Sequence, residues 1–293
     1  MSSTAKGVHA RSLRIDGLEL EILESSGGGI PLFLFHGNSS AASSFETLLA
    51  SPLGQRQRMI ALSFPGHGKS APANDDARYS IAALGALAAR VVAATGAPRY
   101  YLLGQSVGGH ALLEALDQFP GALGLVLVSA PPISLDTLAQ AFRPDPVDGC
   151  LFKADLSPAQ LALLGESFSQ QAGPAERAQW EQTFLATDPR FRPALGASLA
   201  AGLLLDECAA FASARVPVAL LLGTADRFLQ PDYWHSLPVS SLWNGAPVLF
   251  EGHGHLLHLE APQRFERVLA TYLAAMAPLA GGAPAGAAVE VQA

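Results

Sequence analysis

Six runs of consecutive apolar residues punctuate the 293-residue chain, and each stops at a turn-forming segment. PLFLF gives way to HGNSS, RMIALSF to PGHGKS and YYLLG to QSVGG; further on, LGLVLVS meets APP, VPVALLLG meets TADRF, and APVLFEG meets HGHLLH. Runs of this kind suit strands buried on both faces, the condition of a parallel sheet covered by helices. Between them, SIAALGALAARVVAATG and GHALLEALDQFP have helical composition and end in Gly or Pro. The N-terminal SLRIDGLELEILES alternates around a central Asp-Gly instead, which predicts an antiparallel hairpin at a sheet edge.

The rhythm changes once. Between residues 133 and 212 no strand-like run occurs, and three helix starts take its place: Ser157-Pro158, Gly173-Pro174 and Asp188-Pro189. In each, a residue suited to the N-cap precedes a proline whose missing N–H costs nothing in the first turn. Leu161, Leu164 and Phe168 share one face of the first helix, and Trp180 and Phe184 share one face of the second. The pattern predicts an α/β fold, a mostly parallel twisted sheet covered by helices, with a helical lid inserted after the sixth strand. Residues 1–132 and 213–277 form the two halves of the core, and 133–212 form the lid. Residues 278–293, rich in Ala, Gly and Pro with little to pack, read as a disordered tail.

Composition narrows the setting. With 49% hydrophobic and 15% charged residues the chain can bury one large core. A formal charge of −7 and the lack of any Lys/Arg-rich run argue against a nucleic-acid partner. Two cysteines, Cys150 and Cys208, fit a reducing compartment better than a disulfide scaffold. The start, MSSTAKGVHARSLRIDG, lacks the apolar core of a signal peptide, and no apolar stretch is long enough to cross a bilayer. A cytoplasmic protein with no membrane partner is therefore expected; nothing in the sequence specifies an oligomeric state.

The chemistry gathers at three strand ends, where open parallel sheets place their sites. In GQSVGGH, Ser106 stands between glycines at a strand-to-helix junction. Alone this G-x-S-x-G pattern is weak, since roughly 0.2 matches are expected by chance in such a chain. Asp226 follows in LLLGTADRF and His255 in FEGHGHLLHLEAP. Nucleophile, acid, base in that order is the order of an α/β-hydrolase triad and not that of trypsin or subtilisin. Asp206, Glu207 and Asp232 read as solvated or capping residues, and His110 as a packing residue on the helix after the serine. His253, His255 and His258 are close enough in sequence to raise a metal, but no activating carboxylate accompanies them as in H-E-x-x-H. Neither G-x-G-x-x-G nor a P-loop lysine follows a strand, so no metal and no cofactor is expected.

With these motifs in place, the chain resembles the α/β-hydrolase superfamily from about Arg14 to Ala275. HGNSS is similar to its oxyanion loop after the third strand, PGHGKS to the turn after the fourth, GQSVGG to the nucleophile elbow, GTAD to the acid turn and GHLLHLEAP to the histidine loop. The resemblance implies Ser106 as nucleophile, His255 as general base and Asp226 as its orienting acid. It implies the backbone N–H groups of Asn38 and Val107 as oxyanion donors, and it leaves His36 and His67 as turn residues. His253 has the wrong spacing to Glu260 and Pro262 for the base. Ser63 departs from the pattern, standing where many relatives carry Asp, which puts the local hydrogen bonding in doubt. A finer resemblance, carried by HGNSS, PGHGKS with YSI, SVGGH, LVSAPP and SLWNG, is to the quorum-quenching N-acyl-homoserine lactone hydrolases. It implies ring opening of a small-molecule lactone through an acyl-enzyme, with the acyl chain under Leu161, Leu164, Phe168, Trp180 or Phe184. A carboxylesterase on small or aromatic acyl esters is the alternative, and a signal-binding protein with vestigial catalysis is the alternative of another class.

Overall fold

A computed structural model describes residues 5–144, 147–169, 171–238 and 241–281. Strands β1 (Val8–Ile15) and β2 (Leu18–Ser25) form the predicted hairpin. Its two turn residues, Asp16 and Gly17, both have positive φ (52° and 80°), the geometry that matches strand twist in a two-residue turn. Next come β3 (Gly28–Phe35), α1 (Glu46–Ala50), β4 (Gln57–Leu62), α2 (Ile81–Ala94), β5 (Tyr100–Gln105), α3 (Val107–Glu114) and β6 (Ala122–Val128). Five helices follow: α4 (Leu138–Ala141), α5 (Pro158–Phe168), α6 (Pro174–Ala186), α7 (Phe191–Ala200) and α8 (Glu207–Ala212). Strands β7 (Val218–Gly223) and β8 (Val248–Phe250), then α9 (Leu257–Glu260) and α10 (Pro262–Gly281), complete the described elements.

The strands make one eight-stranded sheet in the order β1-β2-β4-β3-β5-β6-β7-β8, antiparallel at β1–β2 and β2–β4 and parallel from there on. The apolar runs are buried on both faces, as a doubly covered sheet requires. Phe33, Phe35, Leu102, Leu125, Leu127 and Leu220 point to a core shared with α2, α3 and α8. Their neighbours Leu32, Leu34, Leu103, Val126 and Ala219 point to a second core shared with α1 and α10. Each such leucine or phenylalanine contributes about 1.5–3 kcal/mol, so the strands cannot slip by one residue without exchanging the two cores.

The helical insertion follows the predicted starts with one shift. Ser157 Oγ accepts the N–H of Gln160 while Gln160 Oε1 accepts that of Ser157, a reciprocal cap for α5, and Pro174 follows Gly173 at the start of α6. The third helix begins at Phe191, two residues beyond Pro189. Asp188 turns the chain into it by accepting the N–H of Arg190 on its side chain (3.0 Å) and that of Phe191 on its carbonyl (2.9 Å). At the other end α10 runs to Gly281, past the expected start of the tail at residue 278, and Arg99 donates a hydrogen bond to the Leu279 carbonyl. Residues 282–293, the rest of that tail, lie outside the described residues. No helix among the described residues is long and apolar enough to cross a membrane.

Candidate active site

Ser106 follows the last residue of β5 at φ 50° and ψ −122°, a conformation that costs a non-glycine residue about 1–3 kcal/mol. Bonds on both sides hold it there. Its N–H donates to the Val128 carbonyl (2.9 Å), and its carbonyl accepts from Gly109 (2.7 Å) and His110 (3.1 Å) to start α3. Helix and strands meet too closely for side chains: a Cβ on Gly108 would lie 2.7 Å from the His36 carbonyl oxygen and press into that of Phe35. The G-x-S-x-G spacing is thus a steric requirement of the turn.

Asp226 sits in the turn after β7 and is buried. One carboxylate oxygen, Oδ1, accepts the N–H groups of Phe228 (2.8 Å) and Leu229 (3.3 Å); the other, Oδ2, accepts from His255 Nδ1 at 2.7 Å. With the proton on Nδ1, the His255 Nε2 lone pair is free to act as a base. His255 itself is buried in the loop after β8 and held by its backbone. Its N–H donates to the Phe168 carbonyl (3.1 Å) at the end of α5, and its carbonyl accepts from Ser129 Oγ (2.9 Å). The rings of Phe168 and Phe228 flank its imidazole at 5.4 and 5.3 Å. Glu260 Oε2 accepts the N–H of Gly254 (2.9 Å) and so closes the loop.

The loop after β3 lies against the elbow. A Cβ on Gly37 would be 3.0 Å from Ser106 Cβ and would collide with the end of the Gln105 side chain. The next residue, Asn38, is buried, and its N–H meets no acceptor among the described residues. Val107 opens α3, so its N–H has no carbonyl one turn back within the helix. These are the two backbone N–H groups that the family resemblance implied as donors.

The remaining candidates sort by their partners. His253 is only half-buried, and its Nδ1 donates to the Glu251 carbonyl (2.7 Å). His258 is buried against the Phe45 ring with neither nitrogen bonded, and burial pushes it down to about 3. His36 accepts the N–H of Phe64 on Nε2 (3.0 Å) and donates from Nδ1 to the Gly37 carbonyl (2.8 Å); burial holds it well below the usual histidine range. His67, 4.8 Å away, is likewise pushed down by burial, to about 4. Both are neutral supports of the turns. Asp206 caps α8 by accepting the N–H of Ala209, and Asp232 is exposed. Glu207 differs from the sequence expectation: it is fully buried and bonds His110 Nδ1 at 2.8 Å, because the start of α8 packs on α3 behind the elbow. Where many relatives carry Asp, Ser63 donates to Glu21 Oε2 (2.8 Å) and accepts the Ala42 N–H (2.9 Å), so β2 supplies the carboxylate. Among the described residues no group of three or more His, Cys, Asp or Glu is arranged to hold a metal.

Leu161, Leu164, Phe168, Trp180 and Phe184 form one buried apolar cluster. It also contains Phe228 and Leu256, which sequence patterning did not single out and which bring the cluster up to His255. Neither carried a signal of its own, since each lies in a short loop without periodicity. A cavity of about 450 Å³ opens beside this cluster, between α1 and α6, with Ser40, Glu46, Trp180, Thr183 and Leu259 in its wall. A second, of about 280 Å³, lies behind the Asp226 turn, against Leu229, Tyr233 and Trp234.

Comparison with known proteins gives a consistent picture. The sequence profile described as the alpha/beta hydrolase family matches residues 32–268. The structure superposes on the N-acyl homoserine lactonase AidH complexed with N-butanoyl homoserine, with a TM-score of 0.85, 27% identity, and coverage of 92% of this chain and 97% of that one. A variant of AidH complexed with N-hexanoyl homoserine lactone gives a TM-score of 0.86 at 26% identity, with coverage of 92% and 99%. Among curated sequences, the "Putative carbamate hydrolase RutD" of Variovorax paradoxus (strain S110) is 35% identical over 103 residues, 35% of this chain. That match spans only 38% of the relative's length.

Proposed function

The chain belongs to the alpha/beta hydrolase family, and on that premise we propose that it is a serine hydrolase that opens the lactone ring of N-acyl homoserine lactones. The observation that carries the reaction type is the 2.7 Å bond between His255 Nδ1 and Asp226 Oδ2, on the same edge of the sheet as a serine held at positive φ. A serine hydroxyl is a poor nucleophile until a base accepts its proton as the bond forms. Ser106 Oγ attacks the lactone carbonyl while His255 Nε2 takes the proton, and Asp226 stabilises the resulting imidazolium. The N–H groups of Asn38 and Val107 receive the oxyanion, where losing one donor costs about 3–4 kcal/mol. Collapse breaks the ring C–O bond, and His255 returns the proton to the departing ring oxygen, now the hydroxyl of an acyl-enzyme. Water, deprotonated by His255, then releases N-acyl homoserine and restores Ser106. The side-chain amide stays intact.

The lactone reading is supported by the AidH likeness, which covers nearly the whole of both chains. It is also supported by the apolar cluster over His255, which suits an acyl chain better than a charged substrate. The test is a panel of N-acyl homoserine lactones beside p-nitrophenyl esters of matched acyl length, read by mass spectrometry. Ring opening adds one water and regenerates the lactone on acidification, whereas amide cleavage splits the molecule. Brisk ester hydrolysis with no lactone turnover would make it a carboxylesterase. Binding of the lactones with neither turnover nor a burst from an activated ester would make it a signal-binding protein.

A further inference from the structure

Arg192, on the helical insertion, is the only buried arginine among the described residues, and sequence patterning gave no sign of it. It sits in the first turn of α7, which is anchored to the core by the residues just before it. Asp188 accepts from Tyr79 Oη (2.6 Å), Arg190 reaches the Ala73 carbonyl (2.7 Å), and the Phe191 ring packs on His67 and Tyr79. From that fixed base the guanidinium gathers three separate segments. Nε donates to the Lys153 carbonyl (2.7 Å) and Nη2 to that of Ala154, both ahead of α5. Nη1 donates to the Phe184 carbonyl of α6 (3.3 Å), and the guanidinium lies 4.3 Å over the Phe184 ring. Nη1 also donates to Ser39 Oγ (3.1 Å). Ser39 is itself at φ 52°, and its hydroxyl donates onward to Asn38 Oδ1 (2.8 Å), while Asn38 Nδ2 donates to the Leu151 carbonyl (3.0 Å). All four acceptors of Arg192 are uncharged: three carbonyls and one hydroxyl.

Burying a guanidinium that bonds no carboxylate, with Asp155 acting on it only at a distance, is expensive, and a residue that served only to pack here would cost less as a methionine. What the arginine supplies is a five-donor planar fork that no other side chain offers. We propose that Arg192 is the positioning residue of the oxyanion loop: through Ser39 it fixes Asn38, so that the N–H of Asn38 points at the carbonyl only while the helical insertion is seated. The inference rests on the serine-hydrolase reading above and assigns a step to the insertion, which otherwise only encloses the acyl chain.

The experiment compares Ser39→Gly, Arg192→Met, Arg192→Lys and the Ser39→Gly/Arg192→Met double variant, with p-nitrophenyl butyrate as substrate. Glycine keeps the positive φ at 39 and removes only the hydroxyl link. Ser39→Gly is expected to lower kcat about 10-fold with KM within about twofold of wild type, the signature of an interaction made in the transition state. Arg192→Met is expected to lower kcat about 100-fold, Arg192→Lys to recover part of that, and the double variant to be no worse than Arg192→Met. Affinity for a trifluoromethyl ketone, whose hemiketal oxyanion occupies the donor site, should fall in parallel with kcat. Wild-type kcat in Ser39→Gly, a loss that appears only in KM, or losses that multiply in the double variant would each overturn the proposal. If Arg192→Met does not fold, Ser39→Gly decides alone. Ser106→Ala separates the two ideas. A dead Ser106→Ala with an untouched Ser39→Gly removes only the role of Arg192, whereas a fully active Ser106→Ala removes the serine reading and this proposal with it.

Discussion

The strand-end turns and the helical insertion are built from different contacts. At the turns after β3, β5, β7 and β8, backbone meets backbone with no room for another atom, and Asp226 is saturated by two N–H groups and an imidazole. In the insertion, rings meet rings: Phe168, Trp180 and Phe184 tilt against one another at 5.1–5.3 Å, and Leu163, Leu185, Leu203 and Leu205 stay exposed. Backbone contacts tolerate no added carbon, whereas packed apolar side chains exchange for others of similar volume at modest cost. A protein built this way can keep one reaction fixed while its substrate range changes. Arg192 joins the two regions through Ser39, as the Phe168 carbonyl does through the His255 N–H.

Substitutions should separate the regions accordingly. The largest effects belong to the turns. Ser106→Ala and His255→Ala should each cost on the order of 10⁶ in kcat/KM on every substrate, with melting temperatures near wild type. Substantial ester hydrolysis by folded Ser106→Ala protein would break the division at its root. Asp226→Asn should follow, losing about 10⁴ because the imidazole is left in the wrong tautomer; full activity there would point to another acid. Gly108→Ala should lower stability by about 1–3 kcal/mol, since the new methyl meets two fixed carbonyls. It should also lower kcat for all substrates alike, and a change confined to long-chain substrates would contradict the role given to the turns.

Changes in the insertion should be smaller and selective. In Trp180→Ala, the gain in kcat/KM per added methylene, up to about 0.8 kcal/mol or nearly fourfold in a filled pocket, should shrink while butyrate ester hydrolysis holds. A uniform loss across chain lengths would move Trp180 out of the acyl site. One further effect concerns stability against pH and leaves the reaction alone. His258 binds its proton only near 3 when folded, against about 6.5 when unfolded, so the unfolded chain takes up more protons between those values. Its neutral burial therefore lowers stability as pH falls below 6.5, by about 2 kcal/mol at pH 5. His258→Leu should gain on wild type in melting temperature between pH 7 and pH 5, and an unchanged gap would mean that the wild-type ring finds a way to keep its proton. Activity should survive the same substitution, because Asp226 bonds His255 and not His258.

Much of this was legible along the chain because it is written in local chemistry. Strands buried on both faces must be apolar throughout, an elbow too tight for Cβ atoms must carry glycines, and a two-residue hairpin must turn at Asp-Gly. Each of these constraints acts within a few residues, so the strands and the hairpin could be read from local pattern, while the elbow at Ser106 and the acid and histidine turns were read from their order along the chain and the family resemblance. What the sequence could not carry is how the other buried charged and polar side chains pair across the fold. Glu207 looked like a capping residue until α8 packed on α3 and gave it His110; Ser63 lacked its acid until β2 brought Glu21 beside it. Arg192 was an ordinary surface-type residue until three segments folded around it. The tertiary structure alone decided these, because burial turns a charged side chain from a solvated group into one that must find its partners within the fold.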